Sequence, residues 1–501
     1  MTQFGERMRR GVTWSTLAYL AGRALSLVAL MVLARVLVPA DFGAVAAVTA
    51  FLALIEFGSD LGMNATVVYE QERGTSARLN VAFTLNLVLA TILTVAGVLL
   101  APVVAGFFHL SDQADLFRLA SLNPILAALG NIHDSVLLRD MQFRRRTIAI
   151  LVRGVARGGV AVILAVAGVG AASIVIGMLA GTLAWAVTQW FLTPFRPRLS
   201  LERDVARSMA SYGAGAASLE VISLITTRAD VVVIGRVLGD VALGLYTLAF
   251  RLPEMLIESV AWNVSIVAFP ALSRQRVEDR HRLGDATIKL LRWQALYAAP
   301  VAAALAVTAP ALIVVLFGSQ WEEAGAVGSA LAVMFGISAI AFPLGDVYRA
   351  LGRQRLLAVI NVFQLGILVA AIVAVASSGI LAVAWARVGA QAAQTLLVVG
   401  FALRLLDVPA RRAAAAVGPA LAAAAGVTLG AGAVTLAWDS LTLAPLVASL
   451  AAGLAGGLIA LRLAAPAMLG ELRGQLSGRL SRPAPKPAPG GWSEPTPEIV
   501  P

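Results

Sequence analysis

Cysteine is absent from the chain, and histidine occurs only three times, at His109, His133 and His281. The lack of cysteine excludes disulfides and thiolate metal sites, and it leaves the redox compartment undetermined. Histidines this far apart in sequence form no visible metal-ligand cluster. The sequence also has no glycine-rich phosphate loop, no serine-nucleophile motif and no protease or deaminase signature. We therefore expect no catalytic residue, no metal and no cofactor.

Charged residues are scarce as well, at 13% of the 501 residues, whereas 59% are hydrophobic and the mean hydropathy is +0.84. A chain this apolar must be solvated by lipid. Its apolar runs are continuous and about 20 residues long, which predicts membrane-spanning helices and not the alternating strands of a barrel. The expected fold class is an all-α polytopic membrane protein with about fourteen spans. The predicted spans are residues 13–34, 42–63, 80–104, 116–138, 148–168, 171–193, 208–229, 241–270, 286–310, 325–348, 357–376, 380–403, 414–436 and 443–464.

Basic residues gather in alternate loops, and this pattern accounts for most of the net charge of +11. The intervening loops, 105–115, 317–323 and 437–442, carry acidic residues and almost no lysine or arginine. By the positive-inside bias both termini are predicted to be cytoplasmic, and the number of spans is even. Only Arg35 and Arg236 depart from the pattern, at predicted outer ends of spans. Because topology explains the charge, we expect no nucleic-acid partner.

The two ends of the chain lead to different expectations. The first apolar run follows Arg7, Arg9 and Arg10, as a signal peptide would. It is too long for one, contains Arg23 and lacks a convincing small-residue cleavage site, so we predict a retained span. The proline-rich end of the chain, within residues 467–501, is unable to bury a core and is predicted to be a disordered cytoplasmic tail.

An internal echo predicts a duplicated unit of roughly 200 residues. Residues 33–54, LARVLVPADFGAVAAVTAFLAL, recur in looser form at 234–255, IGRVLGDVALGLYTLAFRLPEM, with Arg236 lying 201 positions after Arg35. Internal duplication in a membrane chain indicates a transporter. Further matching pairs are Ala101-Pro102 with Ala309-Pro310, and Asp134–Arg139 with Asp346–Arg349. The predicted domains are two six-helix bundles at 1–200 and 201–404, a peripheral helix pair at 405–466 and the tail.

Polar side chains recur inside the predicted spans, where a charge costs at least about 2.5–3.5 kcal/mol. Arg23 lies near the middle of the first span, and Glu56 and Asp60 share one face of the second. Repulsion between these carboxylates favours a proton or a cationic neighbour, for which Arg23 is a candidate. Further stripes comprise Glu220, Ser223 and Thr227; Arg251, Glu254 and Glu258; Arg387, Gln391 and Gln394; and Asn123, Asn131 and Asp134. The stripes predict an aqueous central cavity, or else interhelical bonds that only fix packing.

Two features of the N-terminal half have alternative interpretations. Arg153 and Arg157 lie one helical turn apart and each precedes a glycine, a spacing that would let a neighbouring helix approach closely. They either reach lipid headgroups from their span or extend an anion-attracting funnel. His133 beside Asp134 is either part of a proton relay or a packing histidine.

Three blocks of the sequence together resemble the polysaccharide transporter family of bacterial lipopolysaccharide and exopolysaccharide flippases. They are LARVLVPADFGAVAAVTAF with EFGSDLGMNATVV behind it, SVLLRDMQFRRRTIAI, and RADVVVIGRVLGDVALGLYTLAFRLPEM, within about residues 5–400. This family belongs to the multidrug/oligosaccharidyl-lipid/polysaccharide flippase superfamily. The resemblance implies an inner-membrane protein whose two bundles open alternately to cytoplasm and periplasm. Its cargo would be an undecaprenyl-diphosphate-linked oligosaccharide for exopolysaccharide, O-antigen or capsule assembly.

The resemblance also implies a cationic cavity, in which Arg23 and Arg251 occupy regions comparable to those of typical headgroup ligands. The predicted site comprises arginines for the diphosphate (Arg23, Arg251, Arg387, Arg153 and Arg157), carboxylates for cavity charge and ion coupling (Glu56, Asp60, Glu220, Glu254 and Glu258), and amides for sugar contacts (Asn123, Asn131, Gln391 and Gln394). Expected partners are the lipid-linked oligosaccharide, membrane lipid and polysaccharide polymerase machinery. The carboxylates leave coupling to protons or sodium ions open.

Other assignments stay open at this point. Arg35 and Arg236 mark the family, and each either caps a helix turn or binds cargo; Arg228 with Asp230 favours a structural ion pair. A multidrug antiporter of the same superfamily would have a small apolar site for cations and no need for cavity arginines. A membrane-embedded polysaccharide polymerase would normally show a sizeable periplasmic loop, and the outer loops here are short.

Overall fold

The computed structural model describes residues 22–56, 75–202, 228–278, 280–438 and 440–466. These residues form helices joined by short turns, and no strand occurs among them. The helices are α1 (22–36), α2 (Pro39–Ile55), α3 (Thr75–Phe107), α4 (Ala114–Ala120), α5 (Asn123–Arg139), α6 (Phe143–Val166), α7 (Ala172–Leu192), α8 (228–237), α9 (Gly239–Pro253), α10 (Ser259–Glu278), α11 (Arg280–Phe317), α12 (Glu322–Ala341), α13 (Leu344–Ala350), α14 (Gln354–Val375), α15 (Ile380–Leu405), α16 (Ala410–Ala437) and α17 (Leu443–Ala464).

The all-α, multi-pass prediction is confirmed. In the described part of the chain, ten helical segments are long and apolar enough to cross a membrane. Of the other four predicted spans, those at 13–34, 42–63 and 116–138 correspond, as far as their residues are described, to α1, α2, and α4 with α5, and the span at 208–229 lies almost entirely outside the described residues. The predicted site residues Asp60 and Glu220 lie outside the described residues, as do Ser223, Thr227 and the tail.

The eighth span changes its helical geometry halfway along. α9 ends at Pro253, and a π-helical turn, Glu254–Glu258, connects it to α10. Proline has no amide hydrogen to donate and crowds the preceding turn, so a regular α-helix is interrupted there. π-turns of this kind occur often at functional sites. Here the turn begins three residues after Arg251 and carries Glu254.

α2 and α9 cross through two glycines. A Cβ placed on Gly43 would lie 1.8 Å from the Asp240 carbonyl oxygen, and one on Gly244 would lie 1.9 Å from the Pro39 carbonyl oxygen. Only glycine therefore permits this approach of the two backbones. Pro39 and Asp240 are 201 positions apart, as are Gly43 and Gly244. The two contacts are thus reciprocal between the predicted repeats.

The last two helices, α16 and α17, pack on each other through small residues and lie against α11. A Cβ on Gly426 would come within 2.3 Å of the Gly456 carbonyl oxygen, and one on Gly430 within 2.3 Å of that of Ala452. Close backbone packing replaces large interlocking side chains, as is common in membranes. Outward-facing leucines such as Leu429 and Leu436 are mostly exposed and are suited to contact lipid.

Candidate functional site

A central cavity of about 380 Å³ lies between α1, α2, α6 and α9. It extends along α1 from Leu33 to Arg23, which is about 15 Å at the rise of an α-helix. Leu33 and Phe42 bound it at the end that holds the α1–α2 turn. Most of its wall is aliphatic, and a few polar groups are set into that wall. This combination is typical of ligand sites.

Three arginines and one carboxylate supply the charges of the described cavity wall. They are Arg23 on α1, Arg157 on α6, Arg251 on α9 and Glu254 in the π-turn. Arg251 Nη1 donates to Glu254 Oε2 at 3.1 Å, and the two side chains are 51% and 38% exposed. The wall therefore has an excess of two positive charges, in a space lined mainly by apolar groups. An anion entering this space would meet guanidinium groups from three different helices.

Hydroxyl groups accompany the arginines along the cavity wall. Ser26 donates to the Gly22 carbonyl at 2.8 Å and Thr49 to the Ala46 carbonyl at 2.9 Å, whereas the Thr247 hydroxyl makes no hydrogen bond among the described residues. The sequence analysis missed these three groups. Ser26 follows Arg23 by three residues and Thr247 precedes Arg251 by four, so helical spacing was the signal that could have found two of them.

Close packing of α6 on α7 fixes the position of Arg157. A Cβ on Gly177 would lie 2.7 Å from the Arg157 carbonyl oxygen, and one on Gly181 would lie 2.7 Å from the Arg157 Cβ. The sequence analysis expected a neighbouring helix to approach closely at Gly154 and Gly158 of α6. A Cβ on Gly158 would lie 3.2 Å from Ala29 Cβ of α1, whereas Gly154 has open space around it, and both glycines line the cavity. The close approach therefore occurs at Gly158 and at the α7 glycines, while Gly154 leaves room for a ligand.

Arg153 lies outside the cavity lining, in a polar network of the N-terminal half. Its Nη2 is 3.5 Å from Thr182 Oγ1, and its guanidinium lies over the Trp185 ring at 5.5 Å. Thr182 donates to Asn123 Oδ1 at 2.9 Å, and Asn123 Nδ2 donates to Glu56 Oε1 at 2.5 Å. The network brings together one predicted diphosphate arginine, Arg153, one predicted cavity carboxylate, Glu56, and one predicted sugar-contact amide, Asn123.

Arg387 also lies outside the cavity lining, in a buried ion pair of the C-terminal half. Its Nη1 donates to Asp230 Oδ2, and the Tyr246 hydroxyl donates to the same oxygen at 2.7 Å. The Arg387 and Asp230 side chains are 13% and 2% exposed, and Phe250 lies under the guanidinium at 5.5 Å. Asp230 therefore pairs with Arg387 on α15, and not with Arg228 as expected. The charge of Arg387 is already compensated.

The remaining predicted contacts are distributed over other helices. Gln391 donates to Gln394 Oε1 at 3.0 Å, and Gln394 donates to Asn361 Oδ1 at 3.0 Å, which links α15 to α14. Asn131 on α5 and Glu258 at the end of the π-turn are half-buried and do not line the cavity. These groups connect helices or face other surfaces.

His133 packs against aromatic rings and does not form a relay with Asp134. Its ring is fully buried, stacks on Trp190 with centroids 4.8 Å apart, and has no hydrogen-bond partner for either nitrogen among the described residues. Asp134 instead accepts hydrogen bonds from Arg146 Nε at 3.0 Å and from Gln189 Nε2 at 2.9 Å. The contacts correspond to the packing interpretation.

Comparisons with known proteins agree on one class of membrane protein. A family model described as polysaccharide biosynthesis protein matches residues 32–326. The succinoglycan biosynthesis transport protein ExoT of Rhizobium meliloti (strain 1021) is 30% identical over 333 residues, which are 66% of each chain, just under two thirds. The lipopolysaccharide biosynthesis protein WzxC of Escherichia coli (strain K12) is 24% identical over 377 residues, 74% of this chain and 75% of that one.

A solved structure has the same fold over most of its length. The lipid II flippase MurJ, in an inward closed conformation, superposes with a TM-score of 0.74 at 15% identity and covers 91% of this chain and 99% of its own. At this level of identity the similarity shows the fold alone. The helices of this chain are therefore arranged as in that structure.

Proposed function

The chain belongs to the family of polysaccharide biosynthesis proteins, and from this premise we propose that it is a flippase for undecaprenyl-diphosphate-linked oligosaccharides. It would move these lipids across the bacterial inner membrane for assembly of exopolysaccharide, O-antigen or capsule. Transport of this kind makes and breaks no covalent bond. The observation that carries the proposal is the convergence of Arg23, Arg157 and Arg251 on one cavity.

The charge of the cavity wall matches a diphosphate. A diphosphate that links a lipid to a sugar carries about one negative charge on each phosphate, and the three arginines and Glu254 leave an excess of two positive charges. Guanidinium groups bind phosphate oxygens with two parallel hydrogen bonds, which favours arginine at such a site. A multidrug antiporter for cations has no use for this excess, so the charge favours the anionic cargo.

The size of the cavity indicates which part of the cargo enters it. A volume of about 380 Å³ is at the lower end of the range for small-molecule sites. It accommodates a diphosphate with its first sugar, while the polyprenyl tail would remain in lipid. Ser26 and Thr49 would present hydroxyl groups to sugar oxygens in this arrangement. In place of the amides predicted from sequence, we propose these hydroxyls as sugar contacts.

The helices that supply the cations belong to both proposed units, and this supports alternating access. Arg23 and Arg157 belong to the proposed N-terminal unit, residues 1–200, and Arg251 to the proposed C-terminal unit, residues 201–404. A diphosphate held by all three bridges the two units, so its binding is coupled to their relative position. We place both termini in the cytoplasm, because the basic loops at 139–146 and 349–355 lie on that side under the positive-inside bias.

Transport in vesicles of purified protein tests the proposal. A fluorescent undecaprenyl-diphosphate oligosaccharide should cross the bilayer with the parent chain, and about 10-fold or more slowly with Arg23→Ala, Arg157→Ala or Arg251→Ala, because each variant loses a charge-assisted contact. Arg355→Ala, an exposed arginine outside the cavity, is the matched control and should transport normally. A parent chain that moves no lipid but exchanges cationic dyes for protons would refute the flippase assignment.

A further inference from the structure

Arg35 caps a helix of the other predicted repeat. Its Nε donates to the Leu316 carbonyl at 3.2 Å and its Nη2 to the Val315 carbonyl at 2.9 Å. Both carbonyls lie in the last turn of α11, where helical carbonyls have no partner within the helix. A cation at this helix end is further favoured by the helix dipole. The side chain thus joins the end of α1 to the end of α11.

Arg236, the repeat partner of Arg35, makes the corresponding contact in the opposite direction. Its Nη1 donates to the Phe107 carbonyl at 3.1 Å, at the last residue of α3, and lies 2.7 Å from His109 Nε2. The guanidinium also lies over the Phe107 ring at 5.4 Å. Of the two interpretations of Arg35 and Arg236, these contacts correspond to capping. The two caps run crosswise, from each repeat to the other.

The backbone around Arg35 and the backbone around Arg236 follow the same pattern. α3 and α11 are each followed by a residue with positive φ, His109 at 59° and Gly318 at 109°. Beyond α11, Trp321 Nε1 donates to the Ala34 carbonyl at 2.7 Å, directly before Arg35. Beyond α3, the Phe108 ring lies so close to Gly235, directly before Arg236, that a Cβ there would be 2.7 Å away. One aromatic residue therefore covers each arginine-bearing helix end.

These contacts close one end of the central cavity. Leu33 and Phe42 bound the cavity beside the α1–α2 turn, and the Phe42 ring meets Trp321 edge to face at 5.0 Å. The reciprocal crossing of Gly43 and Gly244 lies on the same turns of the chain. The glycine crossing joins α2 to α9. The Arg35 cap and Trp321 join α1 to the end of α11 and the loop at 317–323, and the Arg236 cap and Phe108 join α8 to the end of α3 and the loop at 105–115. These loops are the acidic ones predicted to face outward.

We propose that Arg35 and Arg236 form a pair of crossed latches that holds the outer end of the cavity closed, and that both release when this end opens. Both side chains are exposed, and their hydrogen-bond partners among the described residues are carbonyl oxygens and one imidazole nitrogen, not carboxylates. Water can replace such partners when the units separate. The buried Arg387–Asp230 pair has no such substitute and joins α8 to α15 within one proposed unit. Because both arginines are exposed and each connects one repeat to the other, their contacts are suited to a gate that opens when the two units separate.

Thiol labelling of the cavity tests the proposal without reference to cargo. The natural chain has no cysteine, so Thr49→Cys on the cavity wall places a single thiol there. In spheroplasts, a membrane-impermeant maleimide added outside should label this thiol slowly. Added to that background, Arg35→Ala and Arg236→Ala should each raise the labelling rate to a similar extent, and the double variant by about tenfold, on the scale of lost hydrogen bonds to charged groups.

Arg118→Ala is the matched control for the arginine variants. Arg118 lies at the same end of the molecule and is also exposed, but it pairs at 2.7 Å with Asp115 within its own repeat. Its removal should leave the labelling rate unchanged. An unchanged rate in the Arg35/Arg236 double variant, or an equal rise in Arg118→Ala, would overturn the proposal. So would a rise confined to reagent added on the cytoplasmic side.

A second route to the same opening leaves both arginines in place. Gly43→Ala would drive a methyl group into the Asp240 carbonyl and separate α2 from α9, so outside labelling of Thr49→Cys should rise. Gly400→Ala, where a Cβ meets open space, is its control. A Gly43→Ala chain that folds and stays unlabelled would contradict the gate even if the arginine variants were degraded. Vesicle transport measures the flippase assignment separately, so the two ideas fail independently.

Discussion

Arg251 and Arg387 are residues of the same type on polar helix stripes, but their surroundings give them different roles. Arg251 lines the cavity and, among the described residues, pairs with the partly exposed Glu254. Arg387 is largely buried and bonded to Asp230. A guanidinium that is already compensated in a low-dielectric site has little charge to offer a ligand. At the residue scale, partner and burial decide which arginines can bind cargo.

Breaking the buried pair should destabilise the fold. Asp230→Ala leaves the Arg387 guanidinium buried without its carboxylate, and we expect the free energy of unfolding to fall by about 3–5 kcal/mol. Thermal unfolding in detergent measures the change. Asp115→Ala removes the carboxylate of an exposed pair with Arg118, and its melting temperature should stay within error of the parent. Equal stability of the two variants would contradict the assignment of Asp230 to a structural pair.

Glu254 competes with an anionic ligand for Arg251. Glu254→Gln removes one negative charge from the cavity wall, so a diphosphate headgroup should bind more tightly and leave more slowly. We expect about a fivefold lower Kd for inorganic pyrophosphate, within the range for one charge-assisted contact, together with a lower maximal transport rate. Glu258→Gln, outside the cavity lining, serves as control. Weaker pyrophosphate binding in Glu254→Gln would show that the carboxylate supports the site and does not compete with it.

At the scale of helices, glycine determines how closely elements approach. Gly426→Val should force α16 away from α17, because a Cβ there would lie 2.3 Å from the Gly456 carbonyl oxygen. Overpacking of this kind costs about 1–3 kcal/mol, which a lower melting temperature would reveal. Gly432→Val, on the same helix with open space at its Cβ, is the comparison variant and should melt like the parent. Equal melting temperatures of the two variants would show that close packing does not hold α16 against α17.

The sequence predicted the helices well because each apolar run is a local signal. It also placed Arg23, Arg157 and Arg251 on polar or mixed helix faces. It did not separate them from Arg153 and Arg387, because the same spacing describes a residue in a cavity and one in an interhelical network. Which faces meet depends on packing partners distant in sequence, such as α7 for Arg157 and α8 for Arg387.

At the scale of the whole molecule, the cavity and its closed end form one mechanical arrangement. The cationic groups of α1, α6 and α9 line the cavity, while Arg35, two residues beyond the lining residue Leu33, caps α11 and Arg236 caps α3. Under the two proposals, a diphosphate drawn between the two units would change the forces across these caps. Binding and opening would then be linked through rigid helices, with no separate signalling element.

The reciprocal contacts of Gly43 and Gly244 have the geometry of a twofold homodimer interface, in which each copy presents the same patch to the other. An ancestral protein of one repeat would have made this crossing by pairing with itself, with every substitution felt twice. Under the predicted duplication, fusion into one chain would have removed that constraint. The two copies would then have been free to diverge, as the difference between His109 beside one arginine and Gly318 beyond the helix capped by the other illustrates. By such divergence a symmetric ancestor would acquire a cargo site with unequal walls.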